Sequence, residues 1–124
     1  MTMKKIAFFV FASLSTLIIA GCGTQTTTDA NQDGSLTTFA QCTAEKGLKM
    51  YGTERCPHCK NMKKMFGTAF SGVNYIDCDA QKTQCDVAGI EGFPTWVING
   101  QKYPGEKTLQ ELAALTSCEL PAGK

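Results

Sequence analysis

The apolar positions of this chain change their spacing several times, and each change marks an element. A predominantly apolar run, residues 6–20, gives way to a polar, Thr-rich segment at 23–35. Leu36, Phe39 and Ala40 then fall on one helical face, which ends near Gly47. The stretch LKMYGT, 48–53, reads as a short strand. Pro57 to about Phe70 reads as a helix, with Cys59, Met62, Phe66 and Ala69 on one face and Lys60, Lys63 and Lys64 pointing away. VNYIDC, 73–78, is a second strand, with Val73, Tyr75 and Asp77 on one side and Ile76 on the other. A short helical piece follows at 83–88. TWVING is a third strand, and Asn99-Gly100 signals a hairpin into QKYPG. Thr108 and Glu111 have capping-box spacing, and Leu109, Leu112 and Leu115 give the last helix its apolar face. The order α-β-α-β-α-β-β-α predicts an α/β fold. Its mixed sheet has helices on both sides and is built around a βαβ crossover.

The run at 6–20 follows Lys4 and Lys5 and ends in small residues, the pattern of a secretory signal. It is too short, and too close to those small residues, to be read first as a membrane-spanning helix. LIIAGC, 17–22, resembles the bacterial lipobox. That likeness implies cleavage before Cys22 and a diacylglycerol on the Cys22 thiol. An ordinary signal peptide or an uncleaved anchor, with a chance cysteine, is the plainer alternative. The expected organisation is therefore a signal at 1–21, a flexible tether at 22–35, a domain at 36–120 and a tail at 121–124. The first 21 residues hold two of the 12 basic side chains and none of the 11 acidic ones. The rest of the chain is thus close to neutral, which gives no electrostatic case for binding nucleic acid. A domain of about 85 residues buries a small core that gains from covalent staples.

Export changes the meaning of the seven cysteines. In an oxidising compartment disulfides persist, so Cys56-Pro57-His58-Cys59 leans toward sulfur chemistry rather than metal. Placed at the cap of its helix, Cys56 sits over unpaired N–H groups and the positive end of the helix dipole, which favour an anionic sulfur. Pro57 then takes the first helical position, where its missing N–H costs little. Cys59, one turn on, shares a face with Met62 and Phe66 and is expected to be the more buried thiol. His58 near the helix start favours the anionic sulfur further, which makes the disulfide more oxidising. The alternative for His58 is an exposed polar side chain with no role.

CPHC opening a helix after a strand, followed by GIEGFPTWVINGQKYPG at 89–105, resembles the thioredoxin superfamily. The run FAQCTAEKGLKMYGTERCPHCKNMKKMFG, 39–67, is similar in particular to the thioredoxin-like domain associated with bacterial vitamin K epoxide reductase homologues. The likeness covers roughly residues 36–120. It implies a thioredoxin-like fold with a central mixed sheet of about four strands. Cys56 would be the attacking or attacked sulfur and Cys59 the resolving one. Pro94 would be cis, would lie against the pair and would keep metal from it. The Phe93 backbone would pair with an extended substrate. Implied partners are protein thiol and disulfide substrates and a membrane quinone-linked oxidoreductase of the vitamin K epoxide reductase type. No bound cofactor is implied. On the residues alone, a Gly-x-Pro before a strand is a turn, and most X–Pro bonds are trans. One departure stands out. Where many relatives carry a buried carboxylate, six residues before the first cysteine, this chain has Met50. Glu54 and Asp77 are the remaining proton acceptors for Cys59, if the fold brings them near.

With Cys56 and Cys59 paired, the four cysteines other than Cys22 allow three pairings. Cys78 ends a strand and Cys85 begins a helical piece, which favours Cys78–Cys85. Cys42–Cys118 would then join the two ends of the domain. Both read as structural, and Cys78–Cys85 as an electron relay is the alternative. Four thiolates from Cys56, Cys59, Cys78 and Cys85 would suit zinc, but the second pair lacks knuckle spacing. Asp29, Asn31, Asp33 and Gly34 match the opening of an EF-hand loop, yet Ala40 stands where a bidentate glutamate belongs. A polar turn before a helix explains them as well.

The reading is an extracytoplasmic, lipid-anchored thiol–disulfide oxidoreductase, taken as a dithiol oxidase. Two alternatives stand beside it. One is a reductase or isomerase of the same fold. The other is a non-enzymatic, disulfide-stapled binding lipoprotein.

Overall fold

The computed structural model describes residues 30–123, with side chains from Gly34 onward. The signal segment 1–21, Cys22 and Asp29 lie outside the described residues. The elements run in order: α1 (Ala30–Glu45), β1 (Lys49–Gly52), α2 (Pro57–Phe66), a 3-10 helix (Gly67–Gly72), β2 (Tyr75–Asp77), α3 (Lys82–Val87), β3 (Thr95–Ile98), β4 (Gln101–Pro104) and α4 (Leu109–Thr116). The sheet order is β2-β1-β3-β4. β1 and β2 are parallel, as the α2 crossover requires. β3 runs antiparallel to both β1 and β4, and Asn99-Gly100 closes the β3–β4 hairpin. This is the mixed α/β sheet with flanking helices that the periodicity predicts.

Alternation along the strands sends side chains to two cores. Met50 of β1 and Trp96 and Ile98 of β3 face the larger one. There they meet Phe39 and Ala40 of α1, Met62 and Phe66 of α2 and Leu112 of α4. The Phe39 and Phe66 rings stack with centroids 6.4 Å apart. Tyr51 and Ile76 point the other way, onto Cys78, Cys85 and Ile90. A disulfide joins each end of the domain. Cys42–Cys118 ties α1 to the residue pair after α4, closing a separation of 76 residues. Cys78–Cys85 ties the end of β2 to α3.

Three boundaries differ from expectation. α1 begins at Ala30, inside the stretch expected as tether. Leu36, Phe39, Ala40 and Thr43 are buried at helical spacing, and the polar turn ahead of them continues the same hydrogen-bond ladder. The helical backbone at 30–40 also leaves no calcium-loop geometry there. α2 ends at Phe66 instead of continuing to Phe70. Gly67 turns to φ 56° and donates its N–H to Lys63 O, and the chain tightens into the 3-10 helix. β2 is only three residues long, because the Val73 N–H is taken by Phe70 O at the close of that 3-10 helix. α4 starts on the expected capping box: Thr108 Oγ1 accepts from Glu111 N–H, and Glu111 accepts from Thr108 N–H.

Candidate active site

The site is built where β1 runs into α2. Cys56 is the N-cap residue of α2, with extended backbone at φ −75° and ψ 119°, and Pro57 follows at the first helical position. The Cys59 N–H donates to Cys56 Sγ at 3.3 Å, so the helix start points a backbone donor at this sulfur. The Cys56 thiol in turn lies 3.4 Å from Phe93 O and donates to it. Cys56 is half-buried and Cys59 is sealed, with no exposed surface.

Gly52 makes the sealing possible. A Cβ placed on it would stand 2.7 Å from Cys59 Sγ and 3.2 Å from Tyr75 Cε2. The last residue of β1 must therefore be glycine for the sulfur to lie against the backbone. Burial pushes the Cys59 thiol up to about 12, with the hydrogen bond to Cys56 as the second cause; the Thr53 backbone and Lys63 pull the other way. The two thiols thus differ in kind: one is reachable and the other is held neutral.

The Phe93–Pro94 peptide bond is cis. It brings the Phe93 carbonyl to Cys56, while Pro94 itself is buried and its carbonyl accepts from Gly105 N–H. Phe93 is 39% exposed beside the reactive sulfur. It also lines a cleft of about 350 Å³ with Arg55, Cys85 and Ile90. A slightly larger cavity, about 400 Å³, lies between α1 and the chain's last residues and touches neither free thiol. Arg55, just before Cys56, is fastened to Asp79 at 2.6 Å, and this ties the β1–α2 loop to the turn after β2.

His58 is placed differently from expectation. It is exposed, and its Nδ1 faces Glu106 Oε1 at 2.6 Å rather than Cys56. Asn61 donates to the same oxygen at 2.9 Å. These two bonds, Asn61 first, hold the Glu106 carboxyl below its ordinary range. Glu106 lies 48 residues from His58, and no local pattern in the sequence marks it. The two carboxylates considered for Cys59 are both engaged elsewhere. Asp77 Oδ1 accepts from Asp79 N–H at 3.0 Å, and Glu54 pairs with Lys63. Met50 is wholly buried among apolar side chains. Among the described residues no cluster of three or more His, Cys, Asp or Glu side chains is arranged to hold a metal ion.

No family model matches the sequence. The chain is 45% identical over 83 residues to Thiol-disulfide oxidoreductase LTO1 of Arabidopsis thaliana; the match covers 60% of this chain and 22% of that protein. It is 31% identical over 78 residues to Protein disulfide isomerase-like 2-1 of Oryza sativa subsp. japonica, covering 52% of this chain and 21% of that protein. The chain therefore spans about a fifth of the length of the curated relatives it matches. Oxidized glutaredoxin 2 from Chlamydomonas reinhardtii aligns with a TM-score of 0.33 at 22% identity, over 69% of this chain and 85% of that one. With its β2-β1-β3-β4 sheet, a Cys-x-x-Cys pair at a helix start and a cis proline beside the reachable sulfur, the chain has a thioredoxin-like fold and is related in sequence to thiol–disulfide oxidoreductases.

Proposed function

We propose that the domain is a thiol–disulfide oxidoreductase that works as a dithiol oxidase on protein substrates. One observation carries the reading: a half-exposed Cys56 at the tip of α2, backed by a Cys59 that no solvent reaches. A substrate thiolate attacks Cys56 of the Cys56–Cys59 disulfide, and Cys59 leaves with the electron pair. A second substrate thiolate then displaces Cys56, which leaves a substrate disulfide and a reduced pair. The asymmetry sets the direction of attack, since only one sulfur can be approached. Phe93, exposed at its side chain and holding Cys56 with its carbonyl, is the surface an extended substrate would meet.

The reduced pair must pass its electrons on. A membrane quinone-linked oxidoreductase of the vitamin K epoxide reductase type is the proposed acceptor. Cys22, lipidated, would hold the domain at the extracytoplasmic face of a bacterial membrane within reach of it. The two structural disulfides support an oxidising compartment.

The isomerase-like name of the Oryza sativa relative favours a second reading, in which the same pair rearranges disulfides. The reduction potential of Cys56–Cys59, titrated against glutathione, separates the two. An oxidase is expected above roughly −150 mV, and an isomerase nearer −180 mV. A potential near the −270 mV of reducing thioredoxins would overturn the oxidase reading.

A further inference from the structure

The exchange cycle needs negative charge on Cys59 twice, once when it leaves and once when it attacks, yet the fold keeps it neutral. β1 offers no help, since Met50 is apolar and buried. The groups that face Cys59 come from three elements. α2 supplies Cys56 and Lys63. The β1–α2 loop supplies the Thr53 backbone, with Glu54 next to it. β2 supplies Tyr75, with Asp77 beyond it. Lys63 is the one cation among them in the described residues.

Lys63 does not behave as its neighbours do. Lys60 and Lys64 are exposed, as their helical positions suggest. The Lys63 side chain keeps only 25% of its surface and folds back. Its ammonium pairs with Glu54 and lies 4.3 Å from the centroid of the Tyr75 ring and 5.4 Å from that of Phe70. It sits one helical turn beyond Cys59, where side chains four apart are neighbours. The Tyr75 ring closes the arrangement. Its Cε2 and Cys59 Sγ both crowd the space over Gly52, 3.2 and 2.7 Å from where a Cβ on that residue would stand. The Tyr75 hydroxyl is buried and has no hydrogen-bond partner among the described residues. An ammonium partly drawn out of water needs compensation, and here an aromatic face and a carboxylate provide it. A charge so placed acts on its surroundings through a less polar medium than water, where its field is stronger.

We infer that Lys63, seated on Tyr75 and held by Glu54, is a positioning residue that stabilises the negative charge on Cys59 Sγ during thiol exchange. This rests on the thiol–disulfide reading above. When Cys59 resolves a mixed disulfide, its proton goes to water and its sulfur lone pair attacks Cys56 Sγ. The Cys56–substrate S–S bond breaks, and the electron pair departs on the substrate thiolate. Lys63 takes no part in bonding; it lowers the energy of the anion.

The test uses the chain with its two structural disulfides intact and Cys56 and Cys59 reduced, mixed with 5,5′-dithiobis(2-nitrobenzoate) in a stopped-flow instrument. Cys56 attacks first and releases one nitrothiobenzoate. Cys59 then resolves the adduct and releases the second. In Lys63→Met the second phase is expected to slow about threefold for each unit by which loss of the cation raises the Cys59 titration, since gained nucleophilicity offsets part of the lost thiolate. Its pH profile moves to higher pH, the first phase is unchanged, and Lys63→Arg restores the second. Lys63→Gln, which keeps less of the stem, is expected to repeat the Met result. A second phase that is unchanged in both neutral variants overturns the inference, as does one slowed equally by Arg. A wild-type chain with no first phase at all would instead defeat the thiol–disulfide reading.

Discussion

Gly52 shows how one missing side chain organises the site. Nothing in the sequence singles it out among 12 glycines, yet Cys59 Sγ rests against its backbone. Gly52→Ala forces a methyl group to within 2.7 Å of that sulfur. Overpacking of this kind costs about 1–3 kcal/mol, measurable as a drop in the urea midpoint. The same variant is expected to push Cys59 out of place and slow resolution. Cys59 also gives the reduced protein a pH dependence. Its folded thiol titrates near 12 against an ordinary value of 9.0. The stability this difference carries is intact below pH 9 and is lost as pH climbs toward 12, because only the unfolded chain releases the proton in between. Unfolding of the reduced form is expected to ease across that range, and Cys59→Ala is expected to flatten the slope. A slope that Cys59→Ala leaves unchanged would place the titrating group elsewhere.

Elements were legible where the pattern was local. The Thr108–Glu111 box, the Asn99-Gly100 turn and the Cys-Pro start of α2 each announce themselves within four residues, because caps and turns satisfy backbone groups with neighbours in sequence. The end of α2 was not legible. Met62, Phe66 and Ala69 keep helical spacing through Gly67, so the apolar period runs on after the backbone has changed to a 3-10 turn. Lys63 was misread for a related reason. Its helical angle places it with the solvent-facing lysines, and only the arrival of Tyr75 from β2 draws it inward. His58 likewise meets Glu106 from the loop after β4. Spacing along one element cannot report a partner brought by another.

At the scale of the domain, a small sheet and its helices are stapled by sulfur in two places, between α1 and the residues after α4 and between the end of β2 and α3. The pairings Cys42–Cys118 and Cys78–Cys85 leave Cys56 and Cys59 as the free thiols among the described residues. The first closes the longer loop, and the domain has little core to spare. Replacing Cys42 and Cys118 together by alanine is expected to cost about 2–5 kcal/mol, read from chemical denaturation. The exchange phases described above should survive in whatever fraction stays folded. A loss of exchange with stability intact would assign that disulfide a chemical part.

The division of labour between the two free thiols is tested most directly by trapping. Cys59→Ser, incubated with a protein or peptide disulfide, is expected to accumulate a mixed disulfide that peptide mapping places on Cys56. Cys56→Ser under the same conditions is expected to form none, because Cys59 lies behind the surface. An adduct on Cys59 in the Cys56→Ser protein, or no adduct in either variant, would contradict it.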